Sequence, residues 1–253
     1  MAVASVAAAK NPRIALVTGG NRGLGLETCR QLGQAGHTVV LTARDEAQGR
    51  AAVQQLSREG LHPRFYPLDV TNAGSIAALI KLVEREFGRL DILINNAAVY
   101  LDGRDAQGGH SEQKSILEIE ADLLRRTMET NVYGPLLLVQ AAAPLLKKSA
   151  CARVVNVSSG AGQLSSPRQF EPAYRISKTA LNALTVIQAA HFQDAGIPVK
   201  VNCVCPGWCK TDMGGPRAPR DPVEGARGIV WAALLPDDAP TGQFFRDMQP
   251  IPW

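Results

Sequence analysis

Apolar positions along the chain follow two alternating rhythms. Short, nearly continuous apolar runs occur at Arg13 to Val17, His37 to Thr42, Arg64 to Leu68, Leu90 to Ile94, Arg153 to Val157 and Val199 to Val204, with a further one near Gln243 to Arg246. Longer stretches of helical periodicity separate them. Parallel strands buried on both faces read as continuous apolar runs and require helical crossovers, so the alternation predicts an α/β protein with a doubly wound parallel sheet of about seven strands and helices on both faces. Helix ends are readable: Asp45 caps a helix that Gly60 stops, Asn72 one that Gly88 stops, and a long helix after Pro172 runs to Gly196. No internal repeat or linker divides the chain, so residues 1–253 read as one domain, with residues 1–11 as a flexible tail.

Composition narrows the classes. Apolar residues make up 45% and charged residues 20% of the 253, which excludes a disordered or low-complexity scaffold. The net charge of +4 is small and scattered, with no basic run beyond Arg125-Arg126 and Lys147-Lys148, so nucleic acid is not an expected partner and an acidic or phosphorylated small ligand suits the chain as well. The best candidate for a membrane span, Pro135 to Leu146, is too short and is interrupted by Gln140 and Pro144. The Ala/Val-rich Met1 to Lys10 lacks the features of a secretory leader, and Asn156-Val157-Ser158, formally a glycosylation sequon, ends an apolar strand where a glycan would not fit. Five cysteines, with Cys203, Cys205 and Cys209 in an apolar strand and the turn after it, read as reduced core thiols of a cytoplasmic protein, and no metal-site spacing occurs.

The chemistry concentrates where strands end. Thr18-Gly19-Gly20-Asn21-Arg22-Gly23-Leu24-Gly25 joins the first strand to the first helix. Glycines there allow a sharp turn, close approach to a pyrophosphate and tight helix packing, and the helix N-terminus offers free N–H groups to the phosphates: a Rossmann-type dinucleotide site. The second strand ends Leu41-Thr42-Ala43-Arg44, with no carboxylate where one would grip the adenosine ribose of NAD; Arg44, with Arg22, suits a 2′-phosphate, which predicts NADP(H). Asp69 and Val70 end the third strand, Asn95, Asn96 and Ala97 the fourth, and Asn156 to Gly160 the fifth. Tyr174 and Lys178 stand one helical turn apart, and an ammonium beside a phenol is expected to lower its pKa toward the working range of an acid-base catalyst.

On these motifs the chain resembles the short-chain dehydrogenase/reductase family, in its compact single-domain branch, from Arg13 onward. The glycine pattern TGxxxGxG is met by Thr18, Gly19, Gly23 and Gly25; the NNAG element by Asn95 to Ala98; the Asn-Ser-Tyr-Lys tetrad by Asn131, Ser159, Tyr174 and Lys178; the PG element by Pro206 and Gly207, followed by Thr211. Leu41 to Asp45, Cys205 to Trp208 and Lys210 to Met213 are most similar to the NADPH-dependent carbonyl reductases. Two departures stand out: Ala98 replaces the usual glycine of NNAG, and Ser159 precedes Tyr174 by 15 residues, which leaves Ser158 as an alternative catalytic serine.

The resemblance implies reduction of a ketone or aldehyde, with Tyr174 as proton donor, Ser159 on the carbonyl oxygen, Lys178 on the nicotinamide ribose and Asn131 holding a water. The insertion that marks monomeric animal carbonyl reductases is absent, which implies a homodimer or homotetramer. A catalytically silent NADP(H) sensor or scaffold of the same fold is the alternative. A serine hydrolase lacks its G-x-S-x-G elbow here. Val99 to Ser115, Gln163 to Phe170 and Gly207 to Pro222 are the expected substrate walls, with Tyr100, Phe170, Trp208 and Met213 as apolar contacts for a hydrophobic carbonyl compound.

Overall fold

The computed structural model describes residues 11–103, 115–165 and 168–253. Seven strands pair in parallel: β1 (Ile14–Val17), β2 (Thr38–Ala43), β3 (Arg64–Pro67), β4 (Ile92–Asn95), β5 (Ala152–Val157), β6 (Val199–Val204) and β7 (Phe244–Arg246). They lie within two residues of the expected runs. An eighth, β8 (Gln249–Pro250), folds back antiparallel on β7, beyond the seven runs read from the sequence. It forms because Asp247 and Met248 both adopt left-handed backbone, at φ 50° and 63°, the geometry of a tight hairpin. Two residues are too few to leave a periodic signal.

The sheet order is β3-β2-β1-β4-β5-β6-β7-β8. The chain therefore reverses direction across the sheet between β1 and β4, the topological switch point beyond whose carboxyl edge a ligand crevice opens. Helices α1 (Gly23–Gln34), α2 (Glu46–Arg58) and α7 (Pro222–Ala233) cover one face; α3 (Ala73–Phe87), α5 (Gly134–Leu146) and α6 (Pro172–Asp194) cover the other. A further helix, α4 (Ala121–Met128), runs through a π-helical turn, Glu129–Tyr133, into α5.

Strand side chains alternate between these layers. Leu16, Val40, Leu93, Val154 and Val201 enter the core under α3, α5 and α6, while Val17, Leu41, Ile94, Val155 and Val204 enter the core under α1, α2 and α7. Full burial of each aliphatic side chain contributes about 1.5–3 kcal/mol, which fixes strand register and with it the positions of the strand ends.

The caps also sit as expected. Asp45 accepts the N–H of Gln48 at 2.9 Å, Asn72 accepts that of Ser75 at 2.9 Å, and Gly88 closes α3 at φ 70°. Of the expected substrate walls, 207–222 is described throughout, whereas residues 104–114 and 166–167 of the other two, and tail residues 1–10, lie outside the described residues. The ends of those two walls meet, Ser115 bridging to Phe170. All five cysteines are free, and no helix among the described residues is long and apolar enough to cross a membrane.

Candidate active site

A cleft of about 1380 Å³ lies at the carboxyl edge of the sheet, larger than a typical small-molecule pocket of about 300–1,000 Å³ and so roomy enough for a dinucleotide and a second ligand. One end is built mainly from backbone. Gly19 turns the chain at φ 63°, and a Cβ on Gly25 would sit 2.1 Å from the Gly19 carbonyl oxygen, so helix and loop meet at a distance only glycine permits. Asn96 Nδ2 donates to the carbonyls of Thr18 and Gly19, at 2.8 and 3.2 Å, and pins the loop. Arg22 at the head of α1 has extended backbone and no side-chain capping bond, which leaves the first N–H groups of the helix facing the cleft.

Around this loop stand Asn21, Arg22, Gly23, Leu24, Arg44, Asp69, Val70, Ala97 and, from the segment after β6, Pro206, Gly207 and Thr211. Asn21 donates to Gln48 at 2.8 Å, and Arg22 pairs with Asp212 at 2.8 Å, so the post-β6 segment closes over the glycine loop. Arg44 is exposed and unencumbered by any ion pair among the described residues. Burial raises the Asp69 carboxyl, but hydrogen bonds from Thr71 and the charge of Arg44 outweigh it and hold it below the usual range. Asn95 corrects the sequence reading. It is buried and donates to Asn156 Oδ1 at 2.7 Å, behind the cleft wall; Asn96 is the asparagine that lines the cleft.

The other end is built from side chains on distant elements. Ser159 follows β5 and caps a single 3-10 turn, its Oγ accepting the Ala161 N–H at 3.1 Å. Tyr174 and Lys178 come from the first turns of α6, and Lys178 Nζ donates to the Val157 carbonyl at 2.8 Å while lying 5.6 Å from the Tyr174 ring centre. Both serines line the cleft and are placed differently: Ser158 is buried with its Oγ donating to Asn182, whereas Ser159 is only partly buried and acts to lower the pKa of the Tyr174 phenol. Asn131 stands in the π-helical turn, a rare insertion that recurs at functional sites. It is buried behind the cleft, exchanging hydrogen bonds with the Val99 backbone at 2.8 and 2.9 Å and donating to Ser177 Oγ at 3.0 Å; Ser177 in turn donates to the Tyr174 carbonyl at 2.7 Å.

The electrostatics differ from expectation. Burial raises the Tyr174 phenol above its ordinary pKa; the hydrogen bond with Ser159 pulls it down, and nearby Cys205, Glu171 and Asp102 push it further up. Burial also lowers Lys178 to about 8, against weak support from Cys203 and Cys205. The expected lowering of the phenol by the amine is not what this arrangement produces. Removing both groups from water disfavours each charged form, and the amine is turned to a carbonyl rather than to the phenol oxygen.

Asp102 and Glu171, both close to Tyr174, left no sequence signal. Asp102 is buried, accepts the N–H groups of Ala173 and Tyr174 at 2.6 and 3.3 Å, and so caps α6 beneath the tyrosine. Tyr100 packs edge-on to the Tyr174 ring, centroids 4.8 Å apart, and donates to Glu171, which holds left-handed backbone at φ 62° and pairs with Arg175. Such strain in a non-glycine residue is typical of functional sites. Of the expected apolar contacts, Tyr100, Trp208 and Met213 line the cleft; Phe170 does not, being held in the bridge to Ser115. Arg168, Arg175, Arg217 and Arg246 line it as well, so this wall is more cationic than expected.

Comparison with known proteins adds relatives to this geometry. A family model described as short chain dehydrogenase matches residues 13–221. Carbonyl reductase (NADPH) 1 of Sus scrofa is 37% identical over 287 aligned positions, covering 96% of this chain and 95% of that protein. The structure of salutaridine reductase from Papaver somniferum superposes with a TM-score of 0.81 at 31% identity, covering 93% of this chain and 99% of that one. An NADPH-bound carbonyl reductase from chicken fatty liver gives 0.82 at 28% identity, covering 96% and 100%.

Proposed function

The chain belongs to the short-chain dehydrogenase family, and on that premise we propose that it is an NADPH-dependent carbonyl reductase, converting a ketone or aldehyde to an alcohol. The observation that carries the reading is the convergence of Ser159, Tyr174 and Lys178 at one end of a cleft whose other end is a glycine loop at a helix N-terminus.

The cleft fits NADP(H). The Gly19–Gly25 contact makes a cradle that a Cβ would fill, and the exposed Arg44, directly after β2, offers a guanidinium to a 2′-phosphate, while Asp45 beside it gives its carboxylate to the N–H of Gln48. Gly19, Asn21, Arg22, Gly23, Leu24 and Gly25 would hold the pyrophosphate; Asp69, Val70 and Ala97 would flank the adenosine, and Pro206, Gly207 and Thr211 the nicotinamide. When bound, the reduced nicotinamide supplies the hydride.

The chain supplies the proton and the alignment. Tyr174 donates its phenolic proton to the carbonyl oxygen as negative charge develops there, and its raised pKa keeps that proton in place up to strongly alkaline pH. Ser159 donates a hydrogen bond to the same oxygen. Lys178 keeps two N–H groups beyond the one given to Val157, available to a ribose and to the tyrosinate left after transfer. Asn131 works by position: both of its amide N–H groups are spent on Val99 and Ser177, which ties the loop after β4 to the turn that carries Tyr174.

The free thiols and the NADPH preference fit a cytoplasmic protein. The exposed apolar side chains of Tyr133, at the head of α5, and of Ile176 and Ile187, along α6, fit a homodimer or homotetramer, measurable by light scattering. The experiment that tests the function is Tyr174→Phe. Carbonyl reduction is expected to fall by about 10²–10⁴-fold, the range for loss of a general acid, with the dissociation constant for NADPH changed little. Near-normal turnover removes Tyr174 from the chemistry.

A further inference from the structure

Arg246 ends β7, half-buried, and lines the cleft at the Tyr174 end. Its Nη2 and Nε lie 3.0 and 3.3 Å from Cys205 Sγ, and the same sulfur accepts the Gly160 N–H at 3.1 Å. The guanidinium thus rests against the residue that follows Ser159. Gly160 makes that possible: a Cβ there would sit 2.2 Å from Arg246 Nη2.

Among the described residues no carboxylate comes within ion-pair distance of Arg246. Its neighbour Asp247 gives both oxygens to Arg220, at 2.6 and 3.1 Å. The contrast with two other arginines is informative. Arg175, also in the cleft, is spent on Glu171 and the Phe170 carbonyl, and the fully buried Arg153 on the Leu235 carbonyl and Asp237. A thiol is a weak acceptor, and a half-buried guanidinium whose hydrogen-bond partner among the described residues is one sulfur retains most of its five-donor capacity for a planar anion.

We propose that Arg246 is a specificity-determining residue that selects carbonyl compounds bearing a carboxylate, holding the carboxylate while the carbonyl oxygen lies at Tyr174 and Ser159. This rests on the reductase reading and adds the chemical class of substrate to it. The sequence pointed to a hydrophobic carbonyl compound; here the apolar walls of Tyr100, Trp208 and Met213 serve the body of the molecule and Arg246 its anionic end. A neutral compound of the same shape leaves the guanidinium desolvated without a partner, which costs affinity.

The test separates binding from turnover. Calorimetric titration of 4-formylbenzoate and of its methyl ester into the protein saturated with NADP+, where no reduction occurs, should show the carboxylate binding at least about tenfold tighter, as one charge-assisted contact predicts. Arg246→Gln should erase that preference and Arg246→Lys retain part of it. In reduction by NADPH, the same preference should appear in KM more than in kcat. Equal affinity for acid and ester in the wild type, or an undiminished preference in Arg246→Gln, overturns the proposal. A carboxylate preference in binding with no reduction of either compound supports the anion site and counts against the reductase reading instead.

Discussion

The two ends of the cleft are made of different materials. Around Gly19 to Gly25 the ligand meets backbone, held by a local turn, by the Asn96 bonds to Thr18 and Gly19, and by a helix end with unpaired N–H groups. Around Tyr174 it meets side chains from five separate places: the loop after β4, the turn after β5, the head of α6, the segment after β6 and the end of β7. The first end is comparatively open, and of its acids Asp69 is held below the usual carboxylate range. In the second, burial shifts the phenol up and the ammonium down. Backbone N–H groups carry their dipoles at any pH, so the nucleotide end needs no titration, whereas the other end holds the groups that can exchange a proton. The contrast assigns binding to one end and chemistry to the other.

That division can be broken from either side. The largest effect on nucleotide binding is expected from Gly25→Val, which drives side-chain carbons into the Gly19 carbonyl; overpacking of about 1–3 kcal/mol should weaken NADPH binding by about tenfold or more in a fluorescence titration, while circular dichroism confirms the fold. If NADPH binds Gly25→Val as it binds the wild type, the glycine loop is not the phosphate cradle. Next, Arg44→Gln should raise the KM for NADPH by about tenfold, the worth of a single charge-assisted contact in an exposed setting, and leave that for NADH nearly unchanged. Equal effects on both cofactors would take Arg44 off the 2′-phosphate.

At the side-chain end the sharpest probe is pH. Lys178, lowered by burial to about 8, loses its proton within the accessible range, whereas Tyr174, raised by burial, does not. Reduction should therefore decline above about pH 8 as the ammonium is lost, and Lys178→Arg, which stays charged, should move that decline upward at the cost of a lower plateau. The sign follows from which form is active: the group lost with rising pH is a cation. An alkaline limb unchanged in Lys178→Arg assigns the titration elsewhere. The smallest effect concerns the division itself: Tyr174→Phe and Lys178→Arg should each alter the thermal stabilisation by NADPH only slightly compared with Gly25→Val.

How much of this was legible in the sequence follows the same division. The strands, the caps at Asp45 and Asn72, and the glycine loop were readable because each is a local signal: an apolar run, an oxygen-bearing residue before a helix, or glycines between a strand and a helix. Tyr174 and Lys178 were readable for the same reason, one turn apart on one helix. What escaped depended on contacts between distant residues. Asn95 and Asn96 are adjacent in sequence and chemically identical, and only the pleat of β4 turns one to Asn156 and the other to the glycine loop. Asp102 caps α6 from 71 residues away in the chain, and Arg246 on β7 meets Cys205, 41 residues before it, only through the pairing of β6 with β7, so neither leaves a spacing to find. The pKa directions depended on burial, which periodicity does not report at a cleft wall.

The central claim is that this cleft moves a hydride and a proton onto a carbonyl. The measurement that tests it most directly is the absorbance of reduced nicotinamide when the purified wild-type protein meets NADPH and a panel of aldehydes and ketones, half of them carboxylates. The account predicts loss of that absorbance with stoichiometric appearance of alcohol, faster with NADPH than with NADH. Tight NADPH binding with no turnover of any carbonyl compound would contradict it and leave a nucleotide-binding protein of the same fold.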